Sequence, residues 1–289
     1  MFSKIKKQKL FLLAFLLLVV NFFLFYLEFQ SPRRELIFAA LDVGQGDALY
    51  VESPTGTQIL FDAGPPRKVL GQLSRVMPPF DRTIDAIVIT NPDLDHIGGF
   101  ADVLEAYKVE KVFEPGTAGD SKVYQNLKAE IKDRNIPDIV VRRGMRLHLG
   151  GGAVIDILFP DRDVSDWTTN DGSVVARLAY GNTSIMLTGD ASVDTERIIL
   201  EENTAARLRS TVLKAGHHGS RTSTSAAFLQ AVAPDYAVIS TGADNKYGHP
   251  HQETLKILNE FGVKILRTDI LGAIILKSNG RNVRFSFLK

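Results

Sequence analysis

A mixed β-sheet covered by helices, preceded by one N-terminal transmembrane helix, is the α/β architecture that the sequence predicts. Three observations carry that expectation. Residues 10–29, LFLLAFLLLVVNFFLFYLEF, are apolar apart from Asn21 and Glu28, and about 20 such residues cross the hydrocarbon core of a bilayer. From Glu35 onward, short runs rich in β-branched and aromatic residues come first in hairpins and then alternate with helical stretches. The 289 residues are 45% hydrophobic with a net charge of only +1, which excludes a predominantly disordered chain.

The apolar segment has the length of an uncleaved anchor. A signal-peptide core is about 7–15 residues long and is followed by small residues, whereas Tyr26, Leu27, Glu28 and Phe29 stand here. Lys4, Lys6, Lys7 and Lys9 precede the segment, and only Arg33 and Arg34, offset by Glu35, follow closely. The positive-inside bias therefore predicts a single-pass protein of the cell membrane, with its N-terminus in the cytoplasm and everything after Gln30 outside. Residues 1–30 are the stub and anchor, 30–34 the candidate boundary, and 35–289 one domain. Residues 1–30 carry four lysines and one glutamate, so 30 basic and 32 acidic residues remain beyond them, a net charge of −2. That balance argues against a polycation holding nucleic acid by bulk charge. There is no cysteine, so disulfides, thiolate metal sites and a cysteine nucleophile are excluded.

Within the domain, strands are expected at 35–41, 47–52 and 57–61, the last two joined by the turn Ser53-Pro54-Thr55-Gly56. A buried strand follows at 86–90, then a helix at 98–107, a strand at 109–113 and a helix at 121–135. Strands at 138–141 and 154–159 flank the turn Gly150-Gly151-Gly152, and a hairpin at 174–180 and 183–188 turns at Gly181-Asn182. Helices at 192–202, 223–232 and 252–261 then alternate with strands at 211–214, 235–240 and 263–267, before a closing hairpin at Asn279-Gly280.

Metal-ligand residues concentrate where strands end. In Thr90-Asn91-Pro92-Asp93-Leu94-Asp95-His96-Ile97-Gly98-Gly99, an extended chain would put Asn91, Asp93 and Asp95 on one face, with His96 at the turn into a helix. A helix cap needs one such residue, not four. Thr188-Gly189-Asp190 closes an apolar strand, where an isolated Asp would ordinarily cap the next helix. Gly216-His217-His218-Gly219-Ser220 sets adjacent histidines between glycines, a poor pattern for core or helix. Tyr247-Gly248-His249-Pro250-His251 is a fourth segment, and His148 reads as a solvated surface residue.

Residues 91–99 are similar to the HxHxDH signature of the metallo-β-lactamase-fold hydrolases. More narrowly, Leu41-Asp42-Val43-Gly44-Gln45-Gly46-Asp47, Phe61-Asp62-Ala63-Gly64, Thr188-Gly189-Asp190, His217-His218-Gly219-Ser220 and Tyr247-Gly248-His249-Pro250-His251 resemble the external hydrolase domain of the ComEC competence proteins. The resemblance runs in order over residues 35–287. It implies a four-layer αββα sandwich with the active site along the edge of two sheets, and one or two divalent ions (manganese, zinc or magnesium). By position, Asp93 would serve one ion and Asp95 with His96 the other. Asp190 would bridge them and His217 complete the set. Asp62 and Asp47 would lie behind the ligands. His218 and His249 would border the substrate, with His249 also open to a ligand role.

Asn91 stands where the family usually has His, so that position keeps at most a neutral amide oxygen, as a weak ligand or a substrate contact. The sequence given has one anchor and no multi-span channel region, which sets a DNA-conducting role apart. The implied activity is metal-dependent hydrolysis of a phosphodiester, DNA included, through a metal-bridging hydroxide oriented by Asp95, with His218 or His249 giving a proton to the leaving oxygen. Arg142, Arg143, Lys214 and Arg221 are the basic positions open to phosphates. A hydrolase of cell-envelope phosphodiesters or esters, and a non-catalytic binding module with a degenerate metal site, are the alternatives.

Overall fold

The structure, a computed structural model, describes residues 2–30 and 35–289. Residues 31–34 of the expected boundary, with the flanking Arg33 and Arg34, lie outside the described residues. Two units divide after residue 33. The first is a single helix, Phe2–Gln30, in which Lys7–Tyr26 is long and apolar enough to cross a membrane. Asn21, in the middle of the apolar run, is satisfied internally, because its side-chain amide donates to the Leu17 carbonyl at 2.8 Å. An amide paired in this way tolerates surroundings without water.

The second unit holds two large sheets. From edge to edge the first runs Val283–Leu288, Ala273–Ser278, Leu36–Ala40, Leu49–Glu52, Gln58–Phe61, Ala86–Val88, Val112–Glu114 and Asp138–Val140. The second runs Lys264–Arg267, Tyr236–Ile239, Val212–Lys214, Thr183–Leu187, Val175–Tyr180, Ala153–Phe159 and Arg146–Gly150. Each sheet combines antiparallel hairpins with parallel strands joined through helices. The C-terminal hairpin returns to the first sheet and pairs antiparallel with Leu36–Ala40.

Why there are two sheets is visible in the strand Leu36–Ala40, which is apolar on both faces. Leu36, Phe38 and Ala40 meet Ile155, Ile157, Ala176, Leu178 and Ile185 of the other sheet. Ile37, Ala39 and Leu41 join Leu73, Phe100, Val103, Leu127 and Ile131 from helices Val69–Val76, Phe100–Ala106 and Lys122–Asp133. On the far side, Met186, Leu213 and Ala237 pack with Ile199, Phe228, Leu229 and Leu258 of helices Val193–Glu202, Ala226–Val232 and Gln252–Glu260. Three apolar interfaces make four layers, helix, sheet, sheet, helix, because a strand apolar on both faces must be covered on both. The four-layer sandwich implied by the resemblance is present. The single mixed sheet read from the alternation of elements is corrected to two, since hairpin strands and crossover strands recur in each.

Local differences have local causes. The stretch expected as one strand at 109–113 is split, because Lys108–Val109 pairs with Thr83–Ile84 in a small sheet of their own while Val112–Glu114 joins the first large sheet. Helix Val69–Val76 and strand Arg146–Gly150 went unpredicted, the second with only Leu149 buried and therefore without a strong apolar signal. The same edge strand carries the exposed His148. Phe38 is fully buried between the sheets, so Phe38→Ala should lower the unfolding free energy by about 3–5 kcal/mol. Phe80, 82% exposed, should change it by less than about 0.5 kcal/mol on replacement by Ala. Denaturant titration of the full chain in detergent, followed by near-ultraviolet circular dichroism, checks both.

Candidate metal centre

Five segments leave the C-terminal ends of strands and meet at the seam between the two sheets, the place where open α/β sheets carry their sites. Asp62 follows Gln58–Phe61, residues 90–96 follow Ala86–Val88, and Asp190 follows Thr183–Leu187. His217 and His218 follow Val212–Lys214, and His249 and His251 lie in the loop after Tyr236–Ile239. Two close approaches of backbone close the ring. The Asp47 N–H donates to the Asp95 carbonyl at 3.1 Å, and a Cβ on Gly46 would stand 2.2 Å from that oxygen. Likewise a Cβ on Gly99 would stand 2.3 Å from the Ala63 carbonyl, so neither position accepts a side chain.

Asp62 is fully buried and fully used. Its Oδ1 accepts from the Thr90 N–H at 2.8 Å, and its Oδ2 accepts from the Thr90 hydroxyl at 2.5 Å and from His96 Nδ1 at 2.8 Å. Donation from Nδ1 turns the His96 Nε2 lone pair toward Asp190, 3.1 Å away. His218 is arranged in parallel: its Nδ1 lies 3.1 Å from the Ser240 carbonyl and 3.4 Å from Asp47. Its Nε2 lies 3.3 Å from Asp95 and 3.6 Å from Asp190. The buried Lys214 ammonium pairs with Asp47 and donates to the Gly189 carbonyl at 3.2 Å.

The adjacent histidines owe their direction to backbone strain. His217 and His218 both adopt positive φ, 47° and 53°, a conformation costing roughly 1–2 kcal/mol per L-residue. Hydrogen bonds hold them there. The His217 N–H donates to the Gly189 carbonyl at 3.1 Å, and Gly216 N–H to Thr224 Oγ1 at 3.2 Å. The buried Glu196 carboxylate accepts from the Thr224 and Ser225 N–H groups.

Charge is concentrated accordingly. Burial opposes a charge on His96, but Asp190 and Asp62 on either side raise its pKa well above the ordinary value. Against the same burial, Asp190 and Asp47 push His218 up to about 9. Burial, with His218 and His217 close by, brings His249 down to about 4. Asp190 is held well below the usual carboxylate range by His96 and His218, although its burial works the other way.

The sequence-selected residues converge, with distinctions. Asp95, His96, Asp190 and His218 face one another, and Asp47 and Asp62 back them. His217 lies at the rim, its Nε2 3.7 Å from Asp190 and its side chain 26% exposed. His249 stacks edge-on to His217 at 5.4 Å between ring centres and to His251 at 4.8 Å. The exposed Tyr247 lies over His249 at 5.7 Å. The shared extended face expected for Asn91, Asp93 and Asp95 is corrected: a helical turn, Leu94–Ile97, begins at once and carries Asp95 away. Asn91 donates to Asn170 Oδ1 at 2.9 Å and accepts from the Asp93 N–H at 2.8 Å, while the Asp93 carboxylate accepts from Thr169 Oγ1 at 3.0 Å. Asp190 caps no helix; Ser192 stands at that N-cap.

Of the basic positions read as open to phosphate, Lys214 is corrected to a buried ion-pair partner. Arg142 is spent on the Pro115 and Val141 carbonyls, and Arg143 on Glu202. Arg221 remains exposed, its N–H donating to His251 Nδ1 at 3.1 Å. Thr90, Thr169, Asn170 and Glu196 were missed. Only Thr90, adjoining the motif, had a signal close in sequence.

A divalent cation fits this donor set. His96 Nε2, His218 Nε2 and Asp190 Oδ1 are buried without a hydrogen-bond partner. Ligating atoms of Asp95, His96 and His218, and of Asp47, Asp190 and His218, lie within 4.8 Å of one another. Buried nitrogen and oxygen acceptors left facing each other require a proton or a metal between them.

The profile of the Metallo-beta-lactamase superfamily matches residues 41–243. The chain belongs to that superfamily. Among curated relatives, ComE operon protein 3 of Bacillus subtilis is 30% identical, over 92% of this chain and 36% of its own length. Competence protein ComA of Neisseria gonorrhoeae is also 30% identical, over 87% of this chain and 34% of its own. Both are ComEC-family competence proteins, and the chain spans about a third of their length. The solved metallo-beta-lactamase fold protein YhfI from Bacillus subtilis superposes with a TM-score of 0.56 at 12% identity, over 84% of this chain and all of that one. The superfamily fold binds divalent metals and most members are metal-dependent hydrolases. Asp62→Asn keeps the shape but weakens the bond that orients His96, so manganese or zinc affinity should fall about 10–100-fold, read by isothermal titration calorimetry.

Proposed function

We propose that the protein is a membrane-anchored, metal-dependent phosphodiesterase of the ComEC type, acting on DNA outside the cytoplasm. The observation that supports this most is the convergence of three unpartnered buried acceptors, His96 Nε2, His218 Nε2 and Asp190 Oδ1, beside Asp95 at the mouth of the seam. Asp95, His96, Asp190 and His218 would hold the ion, with His217 at its edge. Bound there, a divalent ion supplies Lewis acidity, activating water and neutralising charge on phosphoryl oxygens.

The chain's own groups supply the rest. Asp62 and Asp47 fix the orientation of His96 and His218. Asp95 is placed to align an attacking water on phosphorus, as the bond to the leaving oxygen breaks and a proton passes to it. His249, at the rim with Nδ1 buried and unpartnered, is neutral near pH 7 because of its lowered pKa. It would therefore enter as a proton acceptor, take the proton that the attacking water releases, and pass it to the leaving oxygen. Exposed Arg221 and Tyr247 flank that rim and suit a phosphate and a base respectively. The competence-protein relatives favour DNA as the polymer.

With manganese, the wild type should cleave single-stranded DNA. Asp95→Ala and Asp190→Ala should reduce the rate at least about 10²–10³-fold while circular dichroism stays unchanged. Absence of cleavage of any phosphodiester by the wild type, across manganese, zinc and magnesium, overturns the reading. Sidedness has its own test, made simple by the lack of cysteine. Asp194→Cys should react with a membrane-impermeant maleimide in intact cells, and Ser3→Cys only after permeabilisation. The reverse pattern would place the domain inside.

A further inference from the structure

We infer that this chain holds a single divalent ion, on Asp95, His96, Asp190 and His218, and that a hydrogen-bonded network of Asn91, Asp93, Thr169 and Asn170 replaces a second. The inference rests on the metal-dependent reading of the site and narrows it.

Asn91 is fully buried with both ends of its amide engaged, Nδ2 on Asn170 Oδ1 and Oδ1 on the Asp93 N–H. Turning that oxygen onto a cation would strand a backbone N–H in the interior. Asp93, the one ionisable group among the four, already accepts from the Thr169 hydroxyl. Thr169 and Asn170 arrive from the loop before Val175–Tyr180, so the network ties the second sheet to the motif by neutral hydrogen bonds where a metal would otherwise do so.

The remaining carboxylates divide cleanly. Asp47 faces the Lys214 ammonium and His218 Nδ1, and Asp62 is saturated by Thr90 and His96 Nδ1. Asp62 therefore has no oxygen to spare without breaking a buried bond, and Asp47 is held back by the charge of the Lys214 ammonium. Asp95 and Asp190 are left, with His96 Nε2 and His218 Nε2 between them. Two carboxylates and two neutral imidazoles match the charge of one dication and supply four donors, which leaves the further positions of a five- or six-coordinate ion such as manganese to water. A second dication would find Asp93 as its only unshared anionic partner, since Asp190 already serves the first ion, and burying it there without more compensation is unfavourable.

Equilibrium dialysis of the full chain in detergent against excess manganese or zinc, followed by elemental mass spectrometry and amino-acid analysis, tests this directly. The expected result is one ion per chain. Electron paramagnetic resonance of the manganese form should show an isolated Mn(II) ion and no exchange-coupled pair. Asp93→Asn should retain the ion, whereas His218→Ala and Asp190→Asn should lose it, each variant first shown to be folded by circular dichroism. Two ions per chain, none, or loss of the ion in Asp93→Asn overturns the inference. One ion without phosphodiester cleavage would instead defeat the proposed activity and leave this inference standing.

Discussion

The ion pair between Asp47 and Lys214 has no access to water, and the seam between the sheets is organised around it. Asp47 precedes the strand Leu49–Glu52 of the first sheet, and Lys214 ends the strand Val212–Lys214 of the second. Two buried charges lose their hydration, and only close geometry with further hydrogen bonds compensates. Here the ammonium also reaches the Gly189 carbonyl and the carboxylate lies against His218. Gly189 precedes Asp190, and His218 faces Asp95, so positions on both sheets are referred to one pair. Neutralising either partner would leave a lone charge in that seam, a change worth about 3–5 kcal/mol.

The same seam explains why neither half of the fold makes a site alone. Asp62, Asp95 and His96 come from the first sheet; Asp190 and His218 come from the second. Each histidine is backed by a carboxylate, but the backing differs. Asp62 holds His96 within one sheet through a bond of 2.8 Å, whereas Asp47 holds His218 across the seam at 3.4 Å. An ion seated among them would fasten sheet to sheet, so metal affinity and docking of the layers share one free energy. Strain at His217 and His218 is part of that arrangement: the bonds to Gly189, Thr224 and Glu196 hold a conformation that a free chain would leave.

Much of this was legible in the residue order, and the division between what was and was not is physical. Strands such as Leu36–Ala40 and hairpins such as that at Gly181-Asn182 announce themselves through local alternation and turn chemistry. So do His217 and His218, because glycines beside paired histidines satisfy no ordinary structural role. Residues 91, 93 and 95 misled, because the extended spacing holds only until helix formation at Leu94, and Pro92 lies too close to that start to settle it. Lys214 and Asn170 were beyond reach for another reason. Their roles depend on partners 167 and 79 positions away, and nothing in the neighbouring residues distinguishes a buried lysine from a solvated one at a strand end. The exchange of place between His217 at the rim and His218 in the centre is of the same kind, set by two backbone angles that spacing does not encode.

Charge sets the last constraint. Asp47, Asp62, Asp93, Asp95 and Asp190 gather in one hollow with Lys214 as the fixed cation among them, on a domain already near neutrality. Such a hollow repels a polyanion unless something positive fills it. Protons on His96 and His218 serve that purpose in part, since the surrounding carboxylates raise both. The same Nε2 lone pairs of His96 and His218 would hold a dication in place of those protons, and its charge would offset the carboxylates around them. The carboxylates that would repel an anion are thus the ones that would draw a cation into the hollow, and seating of a metal would couple to the approach of any anionic ligand.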